Sequence, residues 1–291
     1  ATFSDTISES VSARLMKDGI ACLAGIDAGL AGIQAAVDVG AAWKKPASPP
    51  LLQSFDQLKA VPVKVLDEAE SKGLLARCGV PVPPGRVVRS AGEAAAAAKA
   101  LGYPVVVKAL GVAHKTDVGG VRLDLGNAQE VSAAVSEMSE LSESYLVEKM
   151  VQGVVAELIV GVARDRQFGP YLLVGGGGIL VELMQDCASL LLPTTRDRVL
   201  HALSQLRCAP LFGAFRGGPP ADLNAAADTI LMVSGMVEAA PSFIAELDIN
   251  PLLLLAEGQG AVAGDALISL NPEATHSQIE WPSWHGKDPD R

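Results

Sequence analysis

Lys108 closes an apolar run, VVVK, and six residues later the stretch HKTDVGGVR combines His114, two cations and the adjacent glycines Gly119 and Gly120. Taking an unpaired ammonium out of water is costly, so a lysine in this setting either emerges into solvent at a strand end or meets an anionic partner. The two glycines let backbone approach a ligand closely, and successive N–H groups there form an anion nest; the same pair also makes an ordinary hairpin turn. Further on, Glu246, Asp248 and Asn250 alternate, which puts their side chains on one face of an extended segment. A hairpin would bring Asp265 beside Asn250. Two or three hard oxygen ligands on adjacent strands suit Mg²⁺ already carrying phosphate oxygens, although a solvated sheet face has the same spacing. Glu148 and Glu157 stand on strands of their own and carry no role from spacing alone. His201, His276 and His285 belong to no motif and read as surface residues, and Gly175 to Gly178 form a loop for close packing or phosphate contact.

These residues need elements to hold them. From residue 61 the pattern is regular. Asp67, Glu68 and Glu70 open a helix that closes at Gly79, and PVPPGRVV follows as a strand. Ser90 and Glu93 have the spacing of a capping box, the helix behind them stops at Gly102, and 103–108 is rich in strand formers. Asn127 to Glu130 start another capped helix. This alternation resembles βαβ units and makes one small subdomain, 62–142. Strands at 145–149, 154–162 and 171–174 open a second subdomain, 143–272. Helices near 196–206 and 222–238 follow, the latter behind an Asp222 cap. Three short strands, FIAELDI, PLLLLA and GAVAGDALI, complete it. Residues 1–45 read as a small leftover unit, a short strand and a helix capped by Asp27, with Leu30, Ile33 and Val37 on one face and Lys44 and Lys45 at its end. Residues 46–61 are a Pro-rich linker and 273–291 a surface tail.

The 291 residues are 49% hydrophobic but only 4% aromatic, with Ala, Val, Leu and Gly prominent, the mix of an α/β protein whose helices lie close on sheets. A net charge of −10 with no Lys/Arg cluster argues against nucleic acid or anionic membrane as a partner. Cys22, Cys78, Cys187 and Cys208 form no CxxC pair and fit reduced thiols in a cytoplasmic protein. No apolar run approaches the roughly 20 residues of a membrane span, and ATFSDTISES has no signal-peptide character.

Three blocks, GYPVVVKALGVAHKTDVGGVRL, LVEKMVQGVVAELIVGVARDRQFGPYLLVGGGGILVE and AELDINPLLLLAEGQGAVAGDALI, together resemble the ATP-grasp module of ADP-forming acyl-CoA synthetases and, more distantly, the β subunit of succinyl-CoA ligase. APLFGAFRGGPPADL is similar to a further family segment, around Arg216-Gly217, and residues 11–43 to the last strand and helix of the family's CoA-ligase domain. The resemblance implies a two-lobed ATP-grasp fold preceded by a short remnant of that flavodoxin-like domain. It implies ATP or ADP with Mg²⁺, and the reaction acid + CoA + ATP ⇌ acyl-CoA + ADP + phosphate through a phosphohistidine. Lys108 then matches a phosphate-contacting lysine, and Gly119 and Gly120 a phosphate-covering loop. Glu148, Lys149, Met150 and Val151 match an inter-lobe hinge against adenine, and Glu157 an acidic position near ribose or phosphates. Asn250 and Asp265 match the Mg²⁺ ligands, Asp248 a position beside the phosphohistidine site, and His114 a second phosphoryl carrier.

The resemblance also implies what is missing: the CoA-binding domain and the domain with the main catalytic histidine, where the acid and CoA mainly bind. Those are the expected partners, in an oligomer. An ATP-grasp carboxylate–amine ligase is the first alternative; a histidine in the phosphate loop has no evident task there. A regulatory, non-catalytic module of an acetyltransferase fusion is the second; Lys108, His114, Asn250 and Asp265 argue against such degeneration.

Overall fold

The structure, a computed structural model, describes residues 8–23, 25–44, 64–112, 115, 118–165, 167–178, 186–241 and 243–271. The chain divides into two compact units, Ala1–Leu51 and Leu52–Arg291.

The first unit contains α1 (Glu9–Lys17) and α2 (Ile26–Trp43), and neither helix has a buried residue. The short strand expected before α2 is not formed among the described residues. Gly25, rather than Asp27, is the N-cap of α2; Asp27 lies in the first turn, where its charge still suits the positive helix end. Leu30, Ile33 and Val37 do share a face, and all three are exposed. Lys45, the 46–61 linker and the tail lie outside the described residues.

The second unit is built on two antiparallel sheets. The larger has the order β1 (Lys64–Val65), β11 (Ala266–Leu270), β9 (Ile244–Leu254), β6 (Ala156–Asp165), β7 (Gly169–Gly176), β8 (Cys187–Leu191), with β10 (Ala261–Ala263) also paired to β9. The smaller has the order β2 (Gly85–Val88), β5 (Tyr145–Lys149), β3 (Val105–Ala109), β4 (Val121–Leu125). The elements alternate as the sequence suggests, but every pairing within these sheets is antiparallel, so the units are not βαβ crossovers.

Periodicity explains the layers. On the small sheet, Val105, Val107, Ala109, Tyr145 and Val147 form a core with Ala94, Ala97 and Ala98 of α4 (Ala91–Leu101) and Val131, Ala134 and Val135 of α5 (Ala128–Glu137). Alanines on the helix face let it sit close to the strands. The large sheet packs against α6 (Arg196–Gln205) and α7 (Leu223–Ala239), whose Ala226, Ile230, Val233 and Val237 recur at helical spacing. In β9, Ile244, Leu247, Ile249, Leu252 and Leu254 are buried while Glu246 and Asn250 are exposed. This is one strand where the sequence suggested two, because β6 pairs with it on both sides of an irregularity at Asn250 and Pro251, at Leu247 to Ile249 and at Leu252 to Leu254.

The caps are local and largely as read. Asp67 and Glu70 make a full capping box on α3 (Glu68–Arg77). Asn127 and Asp222 accept from the N–H groups of Glu130 and Ala225. Ser90 accepts from Glu93, but the Glu93 carboxylate returns to the N–H of Arg89 instead of Ser90. Three elements change sides relative to the sequence reading. β5 pairs with β2 and β3 in the small sheet, whereas β1 pairs with β11, and Leu74 and Leu75 of α3 enter the core of the large sheet.

Candidate functional site

All five residues of β3 are buried, so its two faces must both be covered. Val105, Val107 and Ala109 face the helices of the small sheet; the opposite face carries Val106 and Lys108. On the neighbouring strand β5, the register sets Glu148 across from Val106 and Leu146 across from Lys108. Glu148 and Lys108 are therefore diagonal neighbours on the face turned away from α4 and α5. The strand-end lysine open to solvent is excluded: Lys108 is 7% exposed.

Its partners come from α3. Glu68 and Lys72 stand one turn apart on that helix, both buried, with Nζ to Oε1 at 2.9 Å. Lys108 Nζ donates to Glu68 Oε1 at 2.5 Å and lies 3.1 Å from Glu148 Oε2. Lys72 Nζ donates to both Glu148 oxygens, at 2.8 and 2.7 Å. The carbonyl of Gly264 accepts from Lys72 and from Lys108, each at 2.7 Å. Gly264 has no room for a Cβ, which would lie 2.9 Å from the Leu253 side chain and 3.2 Å from the Pro251 carbonyl. Two buried ammonium groups thus clamp the β10–β11 turn, and the next residue is Asp265.

The charges set one another. Burial pushes the Glu68 carboxyl up, but the ammonium groups of Lys108, Lys72 and Lys115 more than reverse this and hold it at about 2. Burial opposes the Lys108 ammonium, and Glu68, Glu148 and Asp265 overcome it, so Lys108 is held above the usual lysine range. Lys72, penalised by burial and by neighbouring Lys108, is held below it. Lys108 is the firmly charged member of the pair.

Lys115 extends the network outward. It pairs with Glu68 and places Nζ 3.0 Å from Asp265 Oδ1 and 2.9 Å from Oδ2. The turn behind it is closed by the Gly120 N–H on the Lys115 carbonyl, 2.5 Å away. Gly119 has φ +75°, and a Cβ on Gly120 would come within 3.0 Å of the Lys115 carbonyl and 3.1 Å of its Cβ. Here the glycine pair serves to seat a lysine. His114 lies outside the described residues.

Asp265 leads into β11, which pairs with β9, and the Asn250 N–H donates to its carbonyl at 3.3 Å. Glu246, Asp248 and Asn250 alternate with buried Leu247 and Ile249, so they do share a face. Half-buried Asp248 is pushed up to about 6 by burial and by its neighbours Asp265 and Glu246. Among the described residues no three His, Cys, Asp or Glu side chains converge on a metal position. Asn250 and Asp265 are joined through their backbones, where the amide oxygen and the carboxylate would offer a two-residue hard-oxygen set, and Asp265 already attracts a cation, Lys115. That donor chemistry fits a magnesium ion that takes its remaining ligands from phosphates and water.

Other expected positions fall apart from this cluster. The N–H groups of Lys149 and Met150 are bonded to the carbonyls of Pro84 and Pro104, and the Lys149 ammonium to those of Gly102 and Tyr103. Val151 follows, half-buried, at the exit from the small sheet. Glu157, exposed on β6, lies against the glycine run: its carbonyl accepts from the Gly177 N–H at 2.7 Å. A Cβ on Gly177 would lie 2.7 Å from the Glu157 Cβ, and one on Gly175 2.9 Å from the Asp186 carbonyl. Gly175 and Gly176 belong to β7 and not to a loop, and close packing accounts for Gly175 and Gly177. His201 is exposed.

Comparison with known proteins agrees with this architecture. The ATP-grasp domain family matches residues 57–270. The chain is 31% identical over 229 residues to the β subunit of ADP-forming acetate–CoA ligase II of Pyrococcus furiosus, covering 75% of this chain and 97% of that one. The chain belongs to the ATP-grasp family of ADP-forming acyl-CoA ligases. A second ligase of this family, ADP-forming acetate–CoA ligase I of Archaeoglobus fulgidus, is 36% identical over 204 residues, 67% of this chain but only 30% of that protein. The ATP-grasp chain thus spans almost all of a β subunit and about a third of a longer relative. A solved acetyl-coenzyme A synthetase of Ca. Korarchaeum cryptofilum, in complex with coenzyme A and Mg-AMPPCP, has a phosphohistidine segment pointing towards its nucleotide-binding site. It superposes with TM-score 0.63 at 33% identity, covering 71% of this chain and 93% of that one.

Sequence reasoning passed over four residues of this cluster. Glu68 was visible only as a first-turn acid and Lys115 only as one of two loop cations. Lys72 and Gly264 drew no notice. The available signal was the spacing of Glu68 and Lys72, an i,i+4 pair whose burial a surface helix would not require.

Proposed function

We propose that this chain binds Mg²⁺ with ATP or ADP between its two sheets and supplies the phosphoryl group to a partner histidine in an ADP-forming acid–CoA ligase. The overall reaction would be acid + CoA + ATP ⇌ acyl-CoA + ADP + phosphate. The observation that carries this reading is the buried Lys108 ammonium, kept charged by Glu68 and Glu148 and clamped to the turn that presents Asp265. A fixed positive charge beside a metal-ligand pair is what phosphoryl transfer needs, since its catalysis is positioning and charge stabilisation.

In this reading Asn250 and Asp265 would hold the Mg²⁺, which when bound supplies charge neutralisation at the phosphates. Lys108 contacts phosphate oxygens, and the Gly119–Gly120 turn covers them. Residues 148–151 form the wall against adenine; because the Lys149 and Met150 N–H groups are committed within the small sheet, adenine is read by other backbone groups there. Glu157 stands near the ribose or phosphates. Asp248 lies where the acceptor imidazole arrives, and its raised carboxyl, held near 6, can accept a hydrogen bond or proton from it. The imidazole nitrogen attacks the terminal phosphorus, the P–O bond to ADP breaks, and an N–P bond forms. A neutral imidazole suits this at neutral pH. His114, six residues after Lys108 in the sequence, is a second carrier between nucleotide and the partner histidine. The CoA-binding and CoA-ligase domains, in a partner subunit or elsewhere in a longer chain, would bind acid and CoA, and residues 1–45 would belong to the edge of the latter. No described helix is long and apolar enough to cross a membrane, and we place the assembly in the cytoplasm.

The direct test is calorimetry of the chain with Mg·ADP and Mg·ATP; a folded chain that binds neither overturns the reading. Mixing the chain with its complementary domains and assaying acyl-CoA formation then tests His114→Ala. Turnover lost with nucleotide affinity kept supports the carrier, and turnover like wild type removes it.

A further inference from the structure

Resting on the assignment of Asp265 as a metal ligand, we infer that Lys115 is an exchangeable counter-cation. Its ammonium holds the Asp265 carboxylate in the resting chain, and the metal ion with its nucleotide displaces it onto the phosphates. Both Asp265 oxygens lie within 3.0 Å of Lys115 Nζ. A divalent ion that takes a carboxylate oxygen at its usual short distance comes close to an ammonium group held on both oxygens, and the two cations repel at that range.

The rest of the network is arranged so that this one member can leave. The side chain of Lys115 is 16% exposed, against 5% for Lys72 and 9% for Lys108, so it is the nearest to water of the three. Its departure leaves Glu68 paired with Lys108 at 2.5 Å and Lys72 at 2.9 Å, so no buried carboxylate is orphaned. Lys108 and Lys72 cannot exchange in this way, because each is also bonded to the Gly264 carbonyl. The loop that carries Lys115 contains Gly119 at φ +75° and Gly120 packed on Lys115 itself, so motion of the lysine and motion of the turn are linked.

The consequence is ordered occupancy. Metal alone meets a carboxylate already neutralised, and binds weakly. Nucleotide phosphates offer the displaced ammonium a new anionic partner, so metal and nucleotide strengthen each other, and by linkage they do so equally. Lys115 is then a positioning residue of the nucleotide site that enforces entry of the metal together with phosphate.

Mn²⁺ titration of the whole chain, read by the fall in free-ion electron paramagnetic resonance signal, tests this without turnover. Lys115→Met and Lys115→Gln are expected to bind Mn²⁺ alone at least about fivefold tighter than wild type, the low end of ordinary coupling strengths. Lys115→Arg keeps the competitor and should bind Mn²⁺ alone as weakly as wild type. Addition of ADP should tighten Mn²⁺ binding in wild type far more than in Lys115→Met. If Lys115→Met and Lys115→Gln, folded by circular dichroism, stay within twofold of wild type, the exchange is refuted while the metal assignment stands. If Asp265→Asn retains wild-type binding of Mn²⁺ with ADP, the metal assignment falls and the exchange falls with it.

Discussion

Glu68→Gln removes one negative charge from a point where three ammonium groups converge, and its effect can be worked out in advance. The carboxyl is held at about 2, against 4.5 for an ordinary glutamate, a difference of about 3 kcal/mol between its two protonation states. Removing one partner from a buried ion pair costs about 3–5 kcal/mol on general grounds. Glutamine keeps the shape and an acceptor oxygen, which points to the lower end. We expect Glu68→Gln to lower stability by about 3 kcal/mol at pH 7. The pH dependence has a definite sign. A carboxyl that stays ionised in the folded chain below the point at which the unfolded chain protonates stabilises at pH values above 4.5. That contribution fades as pH falls from 4.5 through about 2. Urea denaturation of wild type and mutant at pH 7, 4.5 and 3 should therefore show a gap that narrows on acidification. A mutant within about 0.5 kcal/mol of wild type at pH 7 would remove Glu68 as the hub. A gap of constant size would show that its worth is packing and not charge.

Lys108→Ala should weaken binding of Mg·ADP by about 1.5–3 kcal/mol, the loss of one charge-assisted contact, measured by calorimetry below the mutant's unfolding temperature because Glu68 and Glu148 lose a partner as well. Asn250→Ala combined with Asp265→Ala should abolish the Mg²⁺ dependence of ADP binding and leave the circular dichroism spectrum unchanged; titration like wild type would disprove the ligand pair. Gly177→Ala should destabilise by about 1–3 kcal/mol in urea melts, since its Cβ would fall 2.7 Å from that of Glu157, and an unchanged midpoint would remove the packing role.

The parts of this molecule that were legible from its sequence are those decided over short distances. The Asp67, Ser90, Asn127 and Asp222 caps each depend on a hydrogen bond three residues away, and the common face of Glu246, Asp248 and Asn250 needs only strand period. What escaped was decided across the chain. β5 lies next to β6 in sequence, yet its hydrogen bonds go back to β2 and β3, because Tyr145 and Val147 complete the apolar face under α4 and α5. Likewise α3 begins the segment that leads into the small sheet, yet Leu74 and Leu75 bury themselves on the large one. Lys72 meets Glu148 across 76 residues and Gly264 across 192, and no local pattern encodes such a pairing. The resemblance supplied Lys108 and Asp265 but not Glu68 and Lys72, the pair that ties them together.

That pair answers a difficulty raised by composition. A chain with a net charge of −10 must keep positive charge ready for a polyanionic ligand without leaving buried ammonium groups unpaired. Here Lys72, Lys108 and Lys115 are matched by Glu68, Glu148 and Asp265, so this ion-pair cluster is close to neutral. Two of the carboxylates, Glu68 and Glu148, are almost wholly buried and cannot follow the ligand outward; Asp265, at the rim, can change partners. The inner charges therefore fix Lys108 and the Gly264 turn in place before any ligand arrives, which is the preorganisation that electrostatic catalysis requires. The outer pair supplies the part that rearranges. An acidic protein can in this way hold phosphate at one point, because the field that matters is set by which carboxylates are immobile and not by the sum over the chain.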